Sequence, residues 1–405
     1  MKTENSDVNS AGSRFGDLKE EEDINRLIKD TESKHTRKNS NWSKKTFDEW
    51  REYRTSQTNV PIPEIENFTE NDVNVWLSRF VLEARRKDGA PYPPNTLYQL
   101  CAGLMRVQKE SGTFMNFLDE KNPVFFPFRR SLSARMAELT KQGVGTVTHQ
   151  ADPISRDNEE ELWSKGVFGS GTAKSLLYTV FFYNCKLFGM RGTDEHRNLE
   201  LNQFQLDKEP MSLTFYGRAN KTYKGGLNQR HISPKTIKHV FSDPKLFLIY
   251  EEYIQLVRMI STDENGSEPF YRRPLENKNN LKTFSKQCLG VNKLSKLMKS
   301  ICEEGGLKGA FSNHSGKRTC ATQLYQAGIQ EQEIMGRTGH RSVQSVRKYK
   351  RPSGEMLEEI SNVLEPPVKR EKVEMEVSES TERMCSKSGC TGVTAYNNCV
   401  FEFKF

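Results

Sequence analysis

The sequence predicts a mainly α chain with a small antiparallel β-sheet, divided into a helical N-terminal domain and a larger mixed domain. Three observations predict it. Apolar residues recur at helical spacing along most of the 405 residues, the segment "GVGTVTHQADPIS" interrupts that pattern with glycine, proline and small polar residues, and one block near residues 199–234 alternates with period two.

Residues 1–40 are rich in Ser, Asn, Asp, Glu and Lys with few apolar positions, so they are expected to form a disordered arm. The pattern turns helical at "NWSKKTFDEWREYR". In "FTENDVNVWLSRFVLEARRK", Thr69 is an N-cap candidate and Val73, Trp76, Leu77, Phe80 and Val81 share one face. After the turn "DGAPYPPN", Asn95 can cap a helix carrying Leu97, Leu100, Cys101, Leu104 and Val107 inward, with Arg106 and Lys109 outside that stripe. "FRRSLSARMAELTKQG" adds a basic helix. Residues 41–142 therefore read as a helical bundle without strands, and 143–154 as a linker.

The second domain spans 155–352, starting at Ser155, a cap for the acid-rich helix start "RDNEEELW". The run "AKSLLYTVFFYNCKLFGM" is apolar nearly all round, so it is expected to be deeply buried. "LELNQFQL", "SLTFYG" and "NQRHISP" alternate between breaks and are expected to form the antiparallel sheet. Helices return in "PKLFLIYEEYIQLVRMI", in "VNKLSKLMKSICEEGG" and from Asn313 onward; 353–405 reads as a C-terminal tail, loose from Glu365.

A net charge of +8 and a pI near 8.9 permit a polyanionic partner without requiring one. No window is apolar over the roughly 18–20 residues of a membrane span, and the first residues lack the apolar centre of a signal peptide, so no membrane partner is expected. Cys101, Cys185, Cys288, Cys302 and Cys320 fall in apolar-periodic segments and are expected to pack as reduced thiols. Cys385, Cys390 and Cys399 have no partner histidine nearby, a poor donor set for a structural zinc. Neither a metal nor a cofactor is expected.

Several polar residues stand out by context. Arg191 follows the buried run in "FGMRGTDEHRNLEL"; Lys221 and Lys224 lie in a hairpin-like "NKTYKGG". His314 sits at a helix start in "FSNHSGKRTCATQL", with Lys317 and Arg318 a turn on. His340 ends "TGH", and Tyr349 follows among Arg347, Lys348, Lys350 and Arg351. Taken singly, each is an ordinary surface or capping residue.

Their order and contexts together resemble the tyrosine recombinase (phage integrase) superfamily. "FFYNCKLFGMRGTDEHRNLEL", "NHSGKRTCATQLYQAGI" and "TGHRSVQSVRKYKR" look most like its crypton-type branch, as in the domesticated domains of MYM-type zinc-finger and glutamine-rich nuclear proteins. The resemblance covers about residues 155–352, and the bundle before it looks like a core-binding domain that clamps DNA. It implies a tyrosine-recombinase-like catalytic domain in which Tyr349 is the nucleophile that forms a 3′-phosphotyrosine. It further implies Arg191, His314 and His340 as donors around the phosphate and the hairpin lysine as general acid. Lys221 best fits that last role, with Lys224 in reserve, and Asp194 would buttress Arg191. The implied partner is double-stranded DNA, bound by a homodimer or homotetramer in the nucleus. Arg106, Lys109, Lys224, Arg347, Lys348 and Lys350 are candidate DNA contacts; those flanking Tyr349 would touch phosphates or simply be solvated.

One position departs from the family pattern. The second arginine belongs three residues after the first histidine, where this sequence has Lys317, with Arg318 next to it and rotated by about 100° on a helix. Lysine keeps the charge but loses the planar fork that grips two phosphate oxygens. Either a weakened recombinase or a domesticated DNA- or chromatin-binding module without efficient cleavage is expected, the bland alternative being a protein-interaction scaffold.

Overall fold

The computed structural model describes residues 16–113, 115–147, 150–218, 225–260, 268–275 and 282–365, without the side chains of Asp194 and Asn228. The chain divides into two compact units, Met1–Gln150 and Ala151–Phe405.

In the first unit, α1 (Glu21–Thr31) and α2 (Lys34–Thr58) are helical across much of the segment expected to be a disordered arm. Only the start of α2, Lys34–Ser40, falls in that segment, and it is polar; from Asn41 the helix was expected, and it buries Phe47 and Trp50. Ser33 caps it by accepting from the Thr36 amide at 3.1 Å, and small residues Ser40 and Ser43 are buried on it. A Cβ at Gly103 would stand 2.1 Å from Ser43 Oγ, so glycine permits α2 to cross closely over the helix that carries it. The next helix runs as α3 (Glu70–Asp72), a π-helical turn Val73–Leu77 and α4 (Ser78–Glu83), with Thr69 and Asp72 forming a reciprocal capping box. α5 (Pro94–Glu110) starts with Pro94 as its first residue and Pro93 as its cap, so Asn95 lies inside the helix instead of capping it. α6 (Phe126–Lys141) completes the unit. Its core is aromatic: Phe47 packs edge-on against Phe68 and Phe80, with centroids 5.6 and 5.4 Å away.

The second unit opens with α7 (Arg156–Ser164), capped by Ser155 as expected, and the buried α8 (Ala173–Phe188). α8 stops at Gly189, whose φ of 54° is the left-handed turn that glycine tolerates. A short α9 (Asp194–Arg197) leads into β1 (Phe204–Lys208) and β2 (Met211–Tyr216). β3 (Thr236–Val240) pairs antiparallel with β2, in the order β1-β2-β3. The third strand was expected at 228–234; instead Ile237 enters the core from the stretch just after Pro234, which has no amide to donate to a ladder. α10 (Pro244–Arg258) follows, then a hairpin of β4 (Arg272–Leu275) and β5 (Thr283–Cys288) that no alternation announced. Cys288 is exposed at its end, unlike the four other described cysteines, which are buried. The chain continues through α11 (Val291–Glu304), α12 (Asn313–Gln326), α13 (Glu331–Thr338), α14 (Val343–Arg347) and α15 (Gly354–Leu364), the last lying within the segment read as a tail.

α12 crosses α8 at Gly316, where an added Cβ would lie 2.3 Å from Cys185 Cβ and 2.9 Å from Met298 Cε. Gly316→Ala would stabilise an exposed helix by up to about 1 kcal/mol. Here the sign reverses, because Cys185 Cβ is fixed to its own backbone and α12 must back away. The expected outcome is a loss of about 1–3 kcal/mol, read as a lower urea midpoint at unchanged m-value.

Candidate phosphate-binding site

The residues that the sequence scatters between 191 and 349 meet at the helix ends of the second unit. Ser312 caps α12 and accepts from the His314 amide at 3.2 Å, which places that imidazole at the helix's positive end. His314 Nε2 lies 3.0 Å from the Tyr349 hydroxyl. Tyr349 follows α14; it is held by Thr322, whose hydroxyl donates to its carbonyl at 3.0 Å, and is only 8% exposed. The His340 ring is centred 5.0 Å from the Tyr349 ring, and the Arg318 guanidinium stands 5.2 Å over the same ring.

The protonation of His340 follows from its neighbour. Thr338 Oγ1 donates its one hydrogen to the Ile334 carbonyl at 2.6 Å, so at 2.7 Å from His340 Nδ1 it can only accept. The proton of the neutral ring therefore sits on Nδ1, leaving a lone pair on Nε2. Burial, followed by the charges of Lys317 and Arg191, holds His340 down to about 3. His314 is held down to about 4 by burial and then by Arg318, Lys317 and Arg191. Burial raises the Tyr349 phenol, while Arg318 and Arg191 pull it back down. Arg191, half-buried beyond Gly189, thus acts electrostatically on His314, Lys317, His340 and Tyr349.

The adjacent basic pair divides. Lys317 is 1% exposed and turned inward, its ammonium donating to the Thr338 carbonyl. Burial, with Arg191 and Lys235 adding to it, pushes that amine down to about 7. Arg318, 6% exposed, is the one that faces Tyr349.

Other candidates fall elsewhere. Lys221 and Lys224 lie outside the described residues, as do Cys385, Cys390 and Cys399, and so does the side chain of Asp194. Glu195 is the described acid here, 3.1 Å from Lys235 Nζ. Lys235 was not singled out from the sequence; it sits on the β2–β3 connection, but the third strand had been expected across the residues just before it. Arg347 is exposed and forks onto Glu331 at 2.9–3.1 Å, while Lys348 and Lys350 are exposed. In the first unit Lys109 is exposed as expected. Arg106 is not: it donates to Ser40 Oγ at 3.0 Å and to Asn39 Oδ1, bracing α2 against α5. Among the described residues no group of three or more His, Cys, Asp and Glu side chains could hold a metal, and no helix is long and apolar enough to cross a membrane.

Residues 153–303 match a family described as "Domain of unknown function (DUF3504)", and residues 30–139 match the QRICH1 domain. Human zinc finger MYM-type protein 2 is 25% identical over 182 residues, covering 44% of this chain and 13% of that protein. Human uncharacterized protein KIAA1958 is 26% identical over 149 residues, 36% of this chain and 20% of that one. The human transcriptional regulator QRICH1 is 27% identical over 146 residues, 34% and 18% of the two chains. The matched parts of this chain thus span a fifth or less of these relatives. Among solved structures, the post-cleavage complex of XerH site-specific recombinase bound to palindromic difH substrate aligns at a TM-score of 0.48, with 15% identity over 78% of this chain and 76% of that one. A lambda integrase dimer bound to a COC′ core site aligns at 0.41, with 11% identity over 82% and 95%.

Proposed function

We propose that the second unit is a DNA strand-cleaving and rejoining domain of the tyrosine recombinase type, acting through a 3′-phosphotyrosine. The observation that carries this reading is the 3.0 Å contact between the Tyr349 hydroxyl and His314 Nε2, with the Arg318 guanidinium over the Tyr349 ring. A phosphodiester placed there would meet a nucleophile with its base already in hydrogen-bond reach. The Tyr349 oxygen bonds to phosphorus, its proton passes to His314, and the bond to the 5′ oxygen breaks, that oxygen taking a proton from a lysine of the β2–β3 connection. Lys221 is assigned this last role, with Lys224 in reserve. Arg191 stabilises the charge that grows on the phosphoryl oxygens, joined by His340 once its Nε2 takes up a proton as the anion docks. The step conserves the phosphoester bond, so no cofactor is needed.

Burial first, and cationic neighbours after it, hold His314 near 4 and His340 near 3, and the docking anion would offset the cationic part. Both imidazoles then become more basic on binding, and duplex binding at pH 5 is expected to take up protons. Binding enthalpies measured in buffers of different ionisation heat should differ accordingly; identical enthalpies would place the phosphate elsewhere.

The test of the reading itself is covalent capture. The full chain is incubated with nicked duplexes that cannot religate, and Tyr349 is searched by mass spectrometry for attached nucleotide. A Tyr349 adduct supports a working site.

A second reading rests on Lys317. Because the position expected to carry an arginine points inward, the domain would bind DNA or chromatin in transcription without cleaving it. A relative described as a transcriptional regulator favours this reading, as does the expected kinship with the crypton-type branch; both readings place the protein in the nucleus. Binding of the nicked duplex with no adduct on any tyrosine would decide for it. For assembly on DNA, α15 offers an apolar face that is exposed among the described residues: Leu357, Ile360, Val363 and Leu364 are 51–79% exposed, and a second copy is the proposed occupant.

A further inference from the structure

Two helix ends meet at the floor of the site, and each is closed in the same way. α8 ends at Phe188 with Gly189 left-handed, and α13 ends at Thr338 with Gly339 left-handed. The two ends touch: a Cβ on Gly189 would stand 2.7 Å from Thr338 Cα and 2.9 Å from the Arg337 carbonyl oxygen. Arg191 leaves the site end of the first helix two residues past its glycine, and His340 leaves the second directly after its own.

A helix end exposes carbonyls without intrahelical partners and carries partial negative charge, which a buried ammonium satisfies on both counts. Each end has one. Lys235 donates to the Phe188 carbonyl at 2.9 Å and pairs with Glu195 at 3.1 Å. Lys317 donates to the Thr338 carbonyl. Thr338 is then fixed at both of its oxygens, and its hydroxyl accepts from His340 Nδ1.

We propose that Lys317 and Lys235 are a pair of positioning residues, each capping the carboxyl end of one of two helices that touch at Gly189, and that they thereby set Arg191 and His340 in one site. Lys317 is then not a weakened phosphate ligand. Its value lies in a donor at the end of a straight chain, which reaches Thr338 through a slot that leaves the side chain 1% exposed. The link to catalysis rests on the recombinase reading, whereas the placement of His340 by Lys317 does not.

The experiment compares Lys317→Gln with Lys317→Met in the full chain, without DNA. Both remove the charge and share whatever rise in His340 basicity follows; only Gln keeps an N–H donor. Histidines are labelled with 15N, and the His340 resonances are assigned through His340→Asn. Positioning predicts a single His340 signal at one common place in Lys317→Gln and a displaced or doubled signal in Lys317→Met. If Lys317→Met does not fold, a folded Lys317→Gln with the single signal still supports the proposal. A Met variant indistinguishable from the Gln variant overturns it, as does a Gln variant that fails to fold. Failure to find a Tyr349 adduct in the wild type would sink the recombinase reading and leave this comparison standing.

Discussion

Tyr349→Phe is expected to form no covalent adduct with a nicked duplex while melting within a few degrees of the wild type and keeping most of its affinity for DNA. In the proposed reaction the phenol oxygen is the attacking atom, so its removal leaves no bond to form. What the ring contributes to the fold survives in phenylalanine. The hydrogen bond from Thr322 goes to the Tyr349 backbone, and the contacts with His340 and Arg318 are made by the ring. Affinity holds because phosphate contacts, and not the nucleophile, supply most of the free energy of binding duplex DNA. His314→Ala is the graded companion. It removes the group placed to take the phenol proton and one donor beside the phosphate, and adduct formation should slow by roughly 100- to 1000-fold. An adduct at full rate from Tyr349→Phe would move the nucleophile elsewhere; the same rate from His314→Ala would strip the 3.0 Å contact of any catalytic role.

The parts of this arrangement that were legible in the sequence are those that local chemistry dictates. Ser155, Thr69 and the apolar run of α8 announce themselves because a capping oxygen and an all-round apolar surface each have few alternative uses. The arm was misread for the opposite reason. Where α2 reaches into that segment, Asn39 and the buried Ser40 hold Arg106, so a polar sequence packs by hydrogen bonds and small size, which periodicity in apolar residues does not register. β3 and the β4–β5 hairpin were missed because a strand's partner is set by tertiary pairing and not by its own five residues.

At the site, the histidines and Tyr349 were found through their contexts, yet the direction of Lys317 was not. Helical geometry gives the 100° between Lys317 and Arg318; which of the two looks inward depends on where α13 ends, a fact about another helix. Once Thr338 offers its carbonyl, the lysine has a partner inside and the arginine has the Tyr349 ring outside. The unusual order of the pair thus becomes a consequence of packing. Lys235 was hidden for a similar reason, its significance being set by Phe188 and Glu195, some forty residues earlier.

The second large effect is expected on stability in acid. Four histidines of the second unit are held neutral by burial: His196 and His340 near 3, His239 and His314 near 4. In the unfolded chain each returns to about 6.5. Above pH 7 neither state binds these protons, so the histidines impose no pH dependence there. As pH falls below 6.5 the unfolded state takes up protons that the folded state refuses, so stability declines until the folded values near 4 and then 3 are reached. Near pH 5 the difference approaches four protons, each worth up to about 1.4 kcal/mol per pH unit. A domain of ordinary stability would thus lose a large part of it between pH 6.5 and 5, before most carboxylates are protonated. Urea midpoints followed by near-ultraviolet circular dichroism across that range give the slope directly. A slope near four protons fits four neutral histidines, and His340→Asn should lower it by one. A slope near one proton would mean that most of these imidazoles are already charged in the folded protein, and the lone pair with which His314 is proposed to take the phenol proton would be gone.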